Sequence, residues 1–265
     1  MFKFLGGIAV PYFLAVIGIL RILDAKVVIN PPGLIPVLNL LFFGIVPLIV
    51  AYISAKSYLA SGSRPLLYLS SGIMLYGVAC IIGSILLYVQ ATNPNFTVQN
   101  SAYLLSAALQ FVSATSTVVG ASFHVSKFRK LRLSLAYLGM LVFIALMTIA
   151  SLQGIIPRFY VQETGPTMLR QTVVATAIIL FAISSILFMK TYLKTKSEIL
   201  NWYSLALALI ALALFSFLLQ QNIGDPFGWT GRIAHYLGSI YLLVAVMIPV
   251  RKRKQQENTT NKSQY

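Results

Sequence analysis

Eight long apolar segments divide this chain, and they restrict it to a fold built inside a lipid bilayer. A helix needs about 20 mostly apolar residues to cross the hydrocarbon core of a membrane. Segments of this kind lie at 4–23, 34–54, 66–90, 102–124, 133–153, 171–192, 202–221 and 233–250. Because backbone groups in lipid must find hydrogen bonds within their own segment, such stretches fold as helices. The sequence therefore predicts an all-α polytopic bundle of about eight spanning helices over 1–250, followed by a basic polar tail, 251–265, that we expect to be disordered.

Composition excludes an ordinary soluble domain. Hydrophobic residues make up 58% of the chain and charged residues only 9%, whereas soluble domains contain about 25% charged residues. The formal net charge of +15 would favour nucleic acid in a soluble protein. Here the positive charges lie in short clusters between apolar segments, as membrane topology requires. We therefore expect the lipid bilayer as a partner and no nucleic acid.

The basic residues also predict how the chain threads through the membrane. Five of the 20 lysines and arginines fall on one side of the eight-segment arrangement: Arg21, Lys26, Arg158, Arg170 and Arg232. The remainder fall on the other side, which the positive-inside rule assigns to the cytoplasm. The sequence thus predicts a multi-pass protein of the cytoplasmic membrane with both termini inside. A seven-helix arrangement, in which the first segment does not span, is the main alternative.

A polar stripe runs along the fourth predicted helix. Its members recur every three or four residues and so share one helix face: Ser106, Gln110, Ser113, Thr117, Gly120 and His124. Such a face must point away from lipid, because unsatisfied polar groups there are costly. One interpretation is interhelical packing through small residues and hydroxyls. The other is the wall of a polar cavity or ligand site.

A second group of polar residues lies at the predicted outer ends of helices six to eight. It comprises Arg158, Glu163, Arg170, Asp225, Arg232 and His235. Paired charges of this kind either form a vestibule for a small anionic or polar ligand or are ordinary interfacial ion pairs. From the two groups we select the candidate ligand-binding residues Gln110, Ser113, Thr117, Arg170, Asp225, Arg232 and His235.

Three local patterns give further expectations. Residues 225–228, DPFG, are typical of a type I turn before the last helix. Asn39 lies between Pro36 and Pro47, and these prolines are expected to kink the second helix. Residues 95–97, NFT, form a glycosylation triplet in a predicted outer connection.

Catalytic and cofactor chemistry has little support in the sequence. All five acidic residues fall in connections or in the tail, so coupled transport lacks an intramembrane carboxylate. Two histidines and one cysteine, with distant acids, give no metal-ligand spacing. We therefore expect no catalytic residues, no cofactor and no metal.

Several segments resemble the multi-spanning amino-terminal sensor regions of prokaryotic membrane histidine kinases and related signalling proteins. They are AKSYLASGS at 55–63, NFTVQN at 95–100, GPTMLR at 165–170, NWYSL at 201–205, GWTGR at 228–232 and YLGSIYLL at 236–243. In that family the last helix leads into a cytoplasmic signalling module. No kinase or PAS segment follows position 250 here. The resemblance therefore implies a stand-alone, non-enzymatic sensor that responds to a small ligand or to membrane state and acts through a cytoplasmic signalling protein, with a homo-oligomer as a further option.

Two other functions remain open at this point. A small-solute channel or facilitator would also use a polar helix face. The order Cys80, Arg170 and His235 is similar to that of exosortases and archaeosortases, in which a thiolate nucleophile needs a nearby base. This transpeptidase alternative predicts that Cys80→Ala abolishes processing.

Overall fold

The structure is a computed structural model that describes residues 2–23, 27–29, 33–120, 128–161, 163–220 and 224–262, with side chains described between Gly7 and Ile248. Its helices in chain order are α1 Phe2–Leu23, α2 Leu34–Ser61, α3 Arg64–Tyr88, α4 Thr92–Val118, α5 Arg129–Leu152, α6 Met168–Thr195, α7 Glu198–Leu219 and α8 Pro226–Lys262. A short antiparallel pair, β1 Tyr160–Val161 and β2 Gly165–Pro166, lies between α5 and α6, with Tyr160 opposite Pro166. The predicted all-α polytopic bundle is confirmed.

Six of these helices are long and apolar enough to cross a membrane, and two differ from them. α1 is apolar, but its described apolar stretch, Gly7–Leu23, is shorter. α4 is long but polar, since asparagine, glutamine, serine and threonine side chains are buried along it. The exact number of spans, including whether α1 crosses, stays a prediction.

α2 changes its winding in the middle. Residues Leu40–Ile45 form a π-helical segment between the α-helical stretches Leu34–Asn39 and Val46–Ser61. Pro47 has no backbone N–H to donate to a preceding carbonyl, which favours a local change in hydrogen bonding here. An irregularity is therefore present between the two prolines in the form of a π segment, while the expected kink stays a prediction. Segments of this kind are frequent at functional sites.

Six helices close into a ring. Contacts run from α2 to α3, α3 to α4, α4 to α6, α6 to α7, α7 to α8, and from α8 back to α2. α5 packs outside this ring against α3 and α4, and most of its apolar surface is unburied, as expected for a helix in contact with lipid. α1 packs outside it against α7 and α8. Polar side chains of the six ring helices thus have an interior to face.

The connections between helices meet at two opposite ends of the bundle. At one end, the Ile29 amide donates to the Gly224 carbonyl over 2.8 Å, and the Phe159 amide donates to the Asn93 side chain over 2.9 Å. At the other end, the Arg129 guanidinium donates to the Ala60 carbonyl over 2.9 Å. We call the first the outer end and the second the inner end, after the predicted threading. Their orientation in the cell stays a prediction.

Two helices begin earlier in the chain than predicted, because polar residues precede their apolar segments. α4 begins at Thr92 rather than near 102, so the supposed outer glycosylation triplet lies within the helix, where Asn95 and Thr97 are buried. α8 begins at Pro226 rather than near 233. Asp225 precedes it, and its Oδ1 accepts from the Gly228 amide over 2.6 Å. The predicted turn is therefore the first turn of α8, capped by an aspartate ahead of a proline.

The backbone of α8 continues as far as Lys262, through most of the tail that we expect to be disordered. The residues from Arg251 onward include several lysines, arginines and glutamines, which favour helix, and no proline or glycine interrupts them. The division of the chain into a bundle and a separate tail stays a prediction.

Candidate functional site

A small polar cavity lies inside the ring near the outer end, and we call it the outer cavity. Its volume is about 40 Å³. Every helix of the ring contributes to its wall, which is formed by Asn39, Phe43, Leu87, Asn95, Phe96, Gln99, Asn100, Tyr103, Arg170, Phe217, Gln220 and Arg232. The cavity is therefore sensitive to any rearrangement of the six helices.

Arg170 enters the outer cavity from the first turn of α6. Thr167 caps this helix and accepts from the Arg170 amide over 3.4 Å, which fixes the start of the helix beside the cavity. The side chain is only 4% exposed. Its Nη2 donates to the Phe217 carbonyl over 3.4 Å, and its Cζ lies 4.6 Å from the centre of the Phe96 ring. The guanidinium is thus held between α4 and α7.

Arg232 enters the same cavity from α8 and is 6% exposed. Its Cζ lies 5.8 Å from the Phe217 ring centre and 5.9 Å from that of Trp229. Its charge interacts with that of Asp225, the residue that caps α8. Gly228 permits this arrangement, because a Cβ there would lie 2.7 Å from Arg232 Nη1.

Hydrogen-bonding groups on this wall are left without partners. Within the described residues, the donors are Arg170 Nε, Arg232 Nε and Nη1, Gln99 Nε2 and Asn100 Nδ2, and the acceptor is Asn95 Oδ1. Buried polar groups normally have partners, and each exception calls for an explanation such as a bound group. The residues that line the outer cavity therefore carry more unpartnered donors than unpartnered acceptors.

A layer of aromatic side chains lies deeper in the ring. The Tyr76 hydroxyl and His235 Nε2 are hydrogen-bonded, and the Phe43 ring lies 4.1 Å from the His235 ring, centre to centre. Tyr103 joins the layer, with its ring centre 5.4 Å from that of Tyr76. Cys80 is fully buried, and its sulfur lies 3.7 Å from the Tyr103 hydroxyl. Cys80 also interacts with Tyr76, so the Tyr76 side chain lies between Cys80 and His235.

A larger cavity lies beyond this layer toward the inner end, and we call it the inner cavity. Its volume is about 420 Å³. Its wall is formed by Ser54, Ser57, Ser61, Ser63, Pro65, Leu66, Leu69, Ser113, Thr117, Phe188, Ile199, Leu200, Tyr203 and Val246. This wall carries hydroxyl groups and apolar side chains but, within the described residues, no charged side chain.

Two members of the polar stripe of α4, Gln110 and Ser113, join it to other helices. Gln110 accepts from the Tyr203 hydroxyl over 2.6 Å and donates to the Leu69 carbonyl over 3.2 Å. Ser113 donates to the Pro65 carbonyl over 2.9 Å, and Thr117 donates to the Ser113 carbonyl over 2.8 Å within its own helix. These bonds favour the packing interpretation for this half of the stripe. His124 lies outside the described residues.

The seven candidate residues thus fall into three places. Arg170 and Arg232 meet at the outer cavity, with Asp225 beside Arg232. His235 belongs to the aromatic layer. Ser113 and Thr117 line the inner cavity, and Gln110 lies next to it, where it accepts from the hydroxyl of Tyr203 in the cavity wall. The other members of the predicted vestibule, Arg158 and Glu163, are exposed.

Sequence reasoning missed most amides of the outer cavity, although a signal for them exists. The stripe of α4 extends backward from Ser106 through Tyr103, Gln99 and Asn95 at the same three- and four-residue spacing. Asn95 and Gln99 fall in a predicted connection, because asparagine and proline are typical of loops, whereas Tyr103 lies in the predicted helix. Gln220, at the end of α7, has no comparable pattern in the sequence.

In the part of the chain that the structure describes, six helices surround a polar interior and two pack outside them, and six of the eight are apolar enough to span, which defines a polytopic membrane protein. Residues 37–252 match the membrane-associated sensor domain family MASE3, and the chain belongs to that family. No curated protein and no solved structure matches the chain. The chain is therefore a multi-pass membrane sensor module, in agreement with the resemblance found in its sequence.

Proposed function

We propose that this sensor responds to a small ligand in the outer cavity and passes the response through α8 to a cytoplasmic partner. The observation that carries this proposal is the burial of two guanidinium groups, from α6 and α8, in the wall of one cavity. Burying a charge is costly unless it gains a partner. Because α6 and α8 are not neighbours in the ring, a ligand that binds both side chains links helices otherwise coupled through α7.

α8 has the dimensions that such a relay needs. It contains 37 residues, which at 1.5 Å per residue span about 55 Å. The hydrocarbon core is about 30 Å thick, so a helix starting at the outer end extends well past the opposite surface. Its inner extension carries the basic run 251–254, RKRK. A change at Arg232 can therefore reach a protein in the cytoplasm as a rigid movement of one helix.

A ligand shifts such a protein only by its differential affinity for two arrangements of the ring. The π segment of α2 lies beside the outer cavity, since Asn39 and Phe43 line it. The Tyr236 hydroxyl of α8 donates to Asn39 Oδ1 over 2.9 Å. α2 and α8 thus meet at an irregular backbone segment, which is where a change of winding would move α8.

The test is a comparison of two arginine substitutions in cells that carry the gene. Arg232→Gln should alter the transcript profile in the same genes as deletion of the whole gene, because the relay loses its ligand contact. Arg158→Gln is the matched control, since Arg158 is an exposed arginine at the same end. The control should leave the profile at wild type. A wild-type profile for Arg232→Gln, with normal protein levels, would refute the proposal.

A small-solute facilitator is the second candidate, because two cavities lie in one ring, with the aromatic layer between them. This candidate predicts uptake of a small solute into proteoliposomes. It also predicts faster uptake for Phe43→Ala, which thins the layer. Equal uptake by empty liposomes and by both forms of the protein would exclude it.

A further inference from the structure

The unpartnered groups of the outer cavity do not fit a neutral ligand. Five hydrogen-bond donors on its wall lack partners, against one acceptor, Asn95 Oδ1. Three of the donors belong to Arg170 and Arg232, whose guanidinium groups cannot act as acceptors and stay charged. The described wall contains no carboxylate. A ligand that fits must therefore present mainly acceptors.

The charges set the valence of this ligand. Two arginines contribute two positive charges to the wall, and Asp225, which interacts with Arg232, supplies one negative charge nearby. One positive charge then remains to be neutralised inside the ring. A monovalent anion would balance it, whereas a divalent anion would leave an uncompensated negative charge in a low-dielectric interior.

The volume sets the size of the ligand. A water molecule needs roughly 10–15 Å³ of cavity volume when measured in this way. The outer cavity, at about 40 Å³, therefore has room for a group of three or four heavy atoms. Guanidinium groups bind planar oxyanions through paired hydrogen bonds, which adds geometric selection to the charge.

We propose that the outer cavity binds a small planar monoanion of the formate, acetate, bicarbonate or nitrate type, held by Arg170 and Arg232 and by the amides of α4. This proposal rests on the proposed function for the site and names the class of its ligand. Carboxylates and inorganic oxyanions share the chemistry that the wall recognises, so each is a separate arm of the test.

The test uses the full chain, purified in detergent, and measures thermal stability and calorimetric affinity with four probes at constant ionic strength. Acetate and nitrate are the planar monoanions. Acetamide is the neutral analogue of acetate, and sulfate is the larger dianion. We expect acetate, nitrate or both to raise the melting temperature, with no effect of acetamide or sulfate. Equal stabilisation by acetamide or by sulfate, or no effect of either monoanion, would overturn the inference.

Variants then assign the binding to this cavity. Arg170→Gln and Arg232→Gln should each weaken monoanion affinity at least about tenfold, because each removes a charged hydrogen-bond donor. Arg158→Gln, the exposed control, should bind as the wild type does. Gln99→Leu replaces an amide side chain by an apolar side chain of similar size and leaves the charge of the cavity unchanged. If the arginine variants do not fold, weaker binding by Gln99→Leu supports the site, and unchanged binding by any folded cavity variant refutes it.

The outcome separates this inference from the proposed function. Monoanion binding that depends on the arginines but leaves the transcript profile of Arg232→Gln unchanged would retain the anion site and refute sensing through it. An altered profile without monoanion binding would retain the sensor and refute the anion.

Discussion

The two cavities of the ring differ in how their polar groups are satisfied. The inner cavity is about tenfold larger than the outer one, 420 Å³ against 40 Å³, and is lined by hydroxyls and apolar groups. Beside it, Gln110 and Ser113 are bonded to neighbouring helices. Residues that line the outer cavity carry five unpartnered donors around a small space, whereas the inner cavity has one unpartnered hydroxyl among its described wall residues, Ser54 Oγ. Polarity inside a membrane bundle therefore does not by itself indicate a binding site, whereas unmet hydrogen-bonding capacity does.

The largest effect is expected at Arg170. Arg170 is a buried cation whose Nε has no hydrogen-bond partner. Arg170→Met replaces it with an uncharged side chain of similar length. Replacing a buried ion pair by well-packed apolar groups is often neutral or stabilising by about 1–4 kcal/mol, and the described wall around Arg170 contains no carboxylate to offset the desolvation cost of its charge. We expect the ligand-free protein to gain stability by about 1 kcal/mol or more, because the cation loses its desolvation cost, and to lose its response to acetate.

Thermal unfolding in detergent without small anions measures this change. The sign of the effect is decisive. If Arg170 supports the structure, its replacement should lower the melting temperature. A loss of stability for Arg170→Met would therefore contradict the claim that the polar groups of the outer cavity, unlike those of the inner cavity, are unsatisfied without a ligand.

Gly228→Ala should disturb the outer cavity by crowding. The added Cβ would lie 2.7 Å from Arg232 Nη1 and 2.8 Å from Gln220 Nε2. Because both atoms are the far ends of side chains that can shift, we expect a loss at the lower end of the about 1–3 kcal/mol that overpacking costs. The matched control is Gly139→Ala on α5, where a Cβ meets nothing within 4 Å. It should be neutral or slightly stabilising, because alanine favours helix. Equal melting temperatures for the two variants would contradict the tight approach at Gly228.

Tyr203→Phe should affect stability but not anion binding. It removes the donor that reaches Gln110 Oε1 over 2.6 Å. Interhelical hydrogen bonds in membranes contribute about 0.6 kcal/mol on average and up to about 1.7. Tyr58→Phe is the matched control, since the Tyr58 hydroxyl is buried without a hydrogen-bond partner. The control should unfold at or above the wild-type temperature. Loss of acetate binding by Tyr203→Phe would show that the inner region belongs to the ligand site.

The smallest effect is expected for two serines of the inner cavity. Ser113→Ala removes a hydrogen bond to the Pro65 carbonyl and should cost about 0.6 kcal/mol. Ser54→Ala removes a buried hydroxyl without a partner and should stay within about 0.5 kcal/mol of wild type. Chemical unfolding of both variants compares them. A larger loss for Ser54→Ala would indicate a ligand that binds in the inner cavity.

Much of the fold follows from the sequence, because long apolar segments indicate most of the helices of the bundle. Two boundaries do not follow. Asn95 and Thr97 resemble a loop in sequence but face the ring interior, where polar side chains are tolerated. Asp225 and Pro226 indicate a turn in the sequence, but aspartate followed by proline is also typical of a helix start, and α8 begins at Pro226.

The site was only partly predictable. Charge on the outer connections indicated Arg170 and Arg232, but the sequence could not show which polar residues are satisfied. Gln110 and Asn95 lie on one face of α4, yet only the packing of α7 gives Gln110 its tyrosine partner. Hydrogen-bond satisfaction depends on contacts between distant helices, so it cannot be read from spacing along one of them.

The central claim is that occupation of the outer cavity moves the inner end of α8. Spin labels at Thr195→Cys on α6 and Lys254→Cys on α8, in a Cys80→Ser background, allow this distance to be measured by pulsed electron resonance in lipid nanodiscs. Acetate or nitrate should shift the distance by about 1–2 Å, the usual scale of helix movements in switches, and Arg232→Gln should abolish the shift. An unchanged distance under conditions where the anion binds would contradict the account.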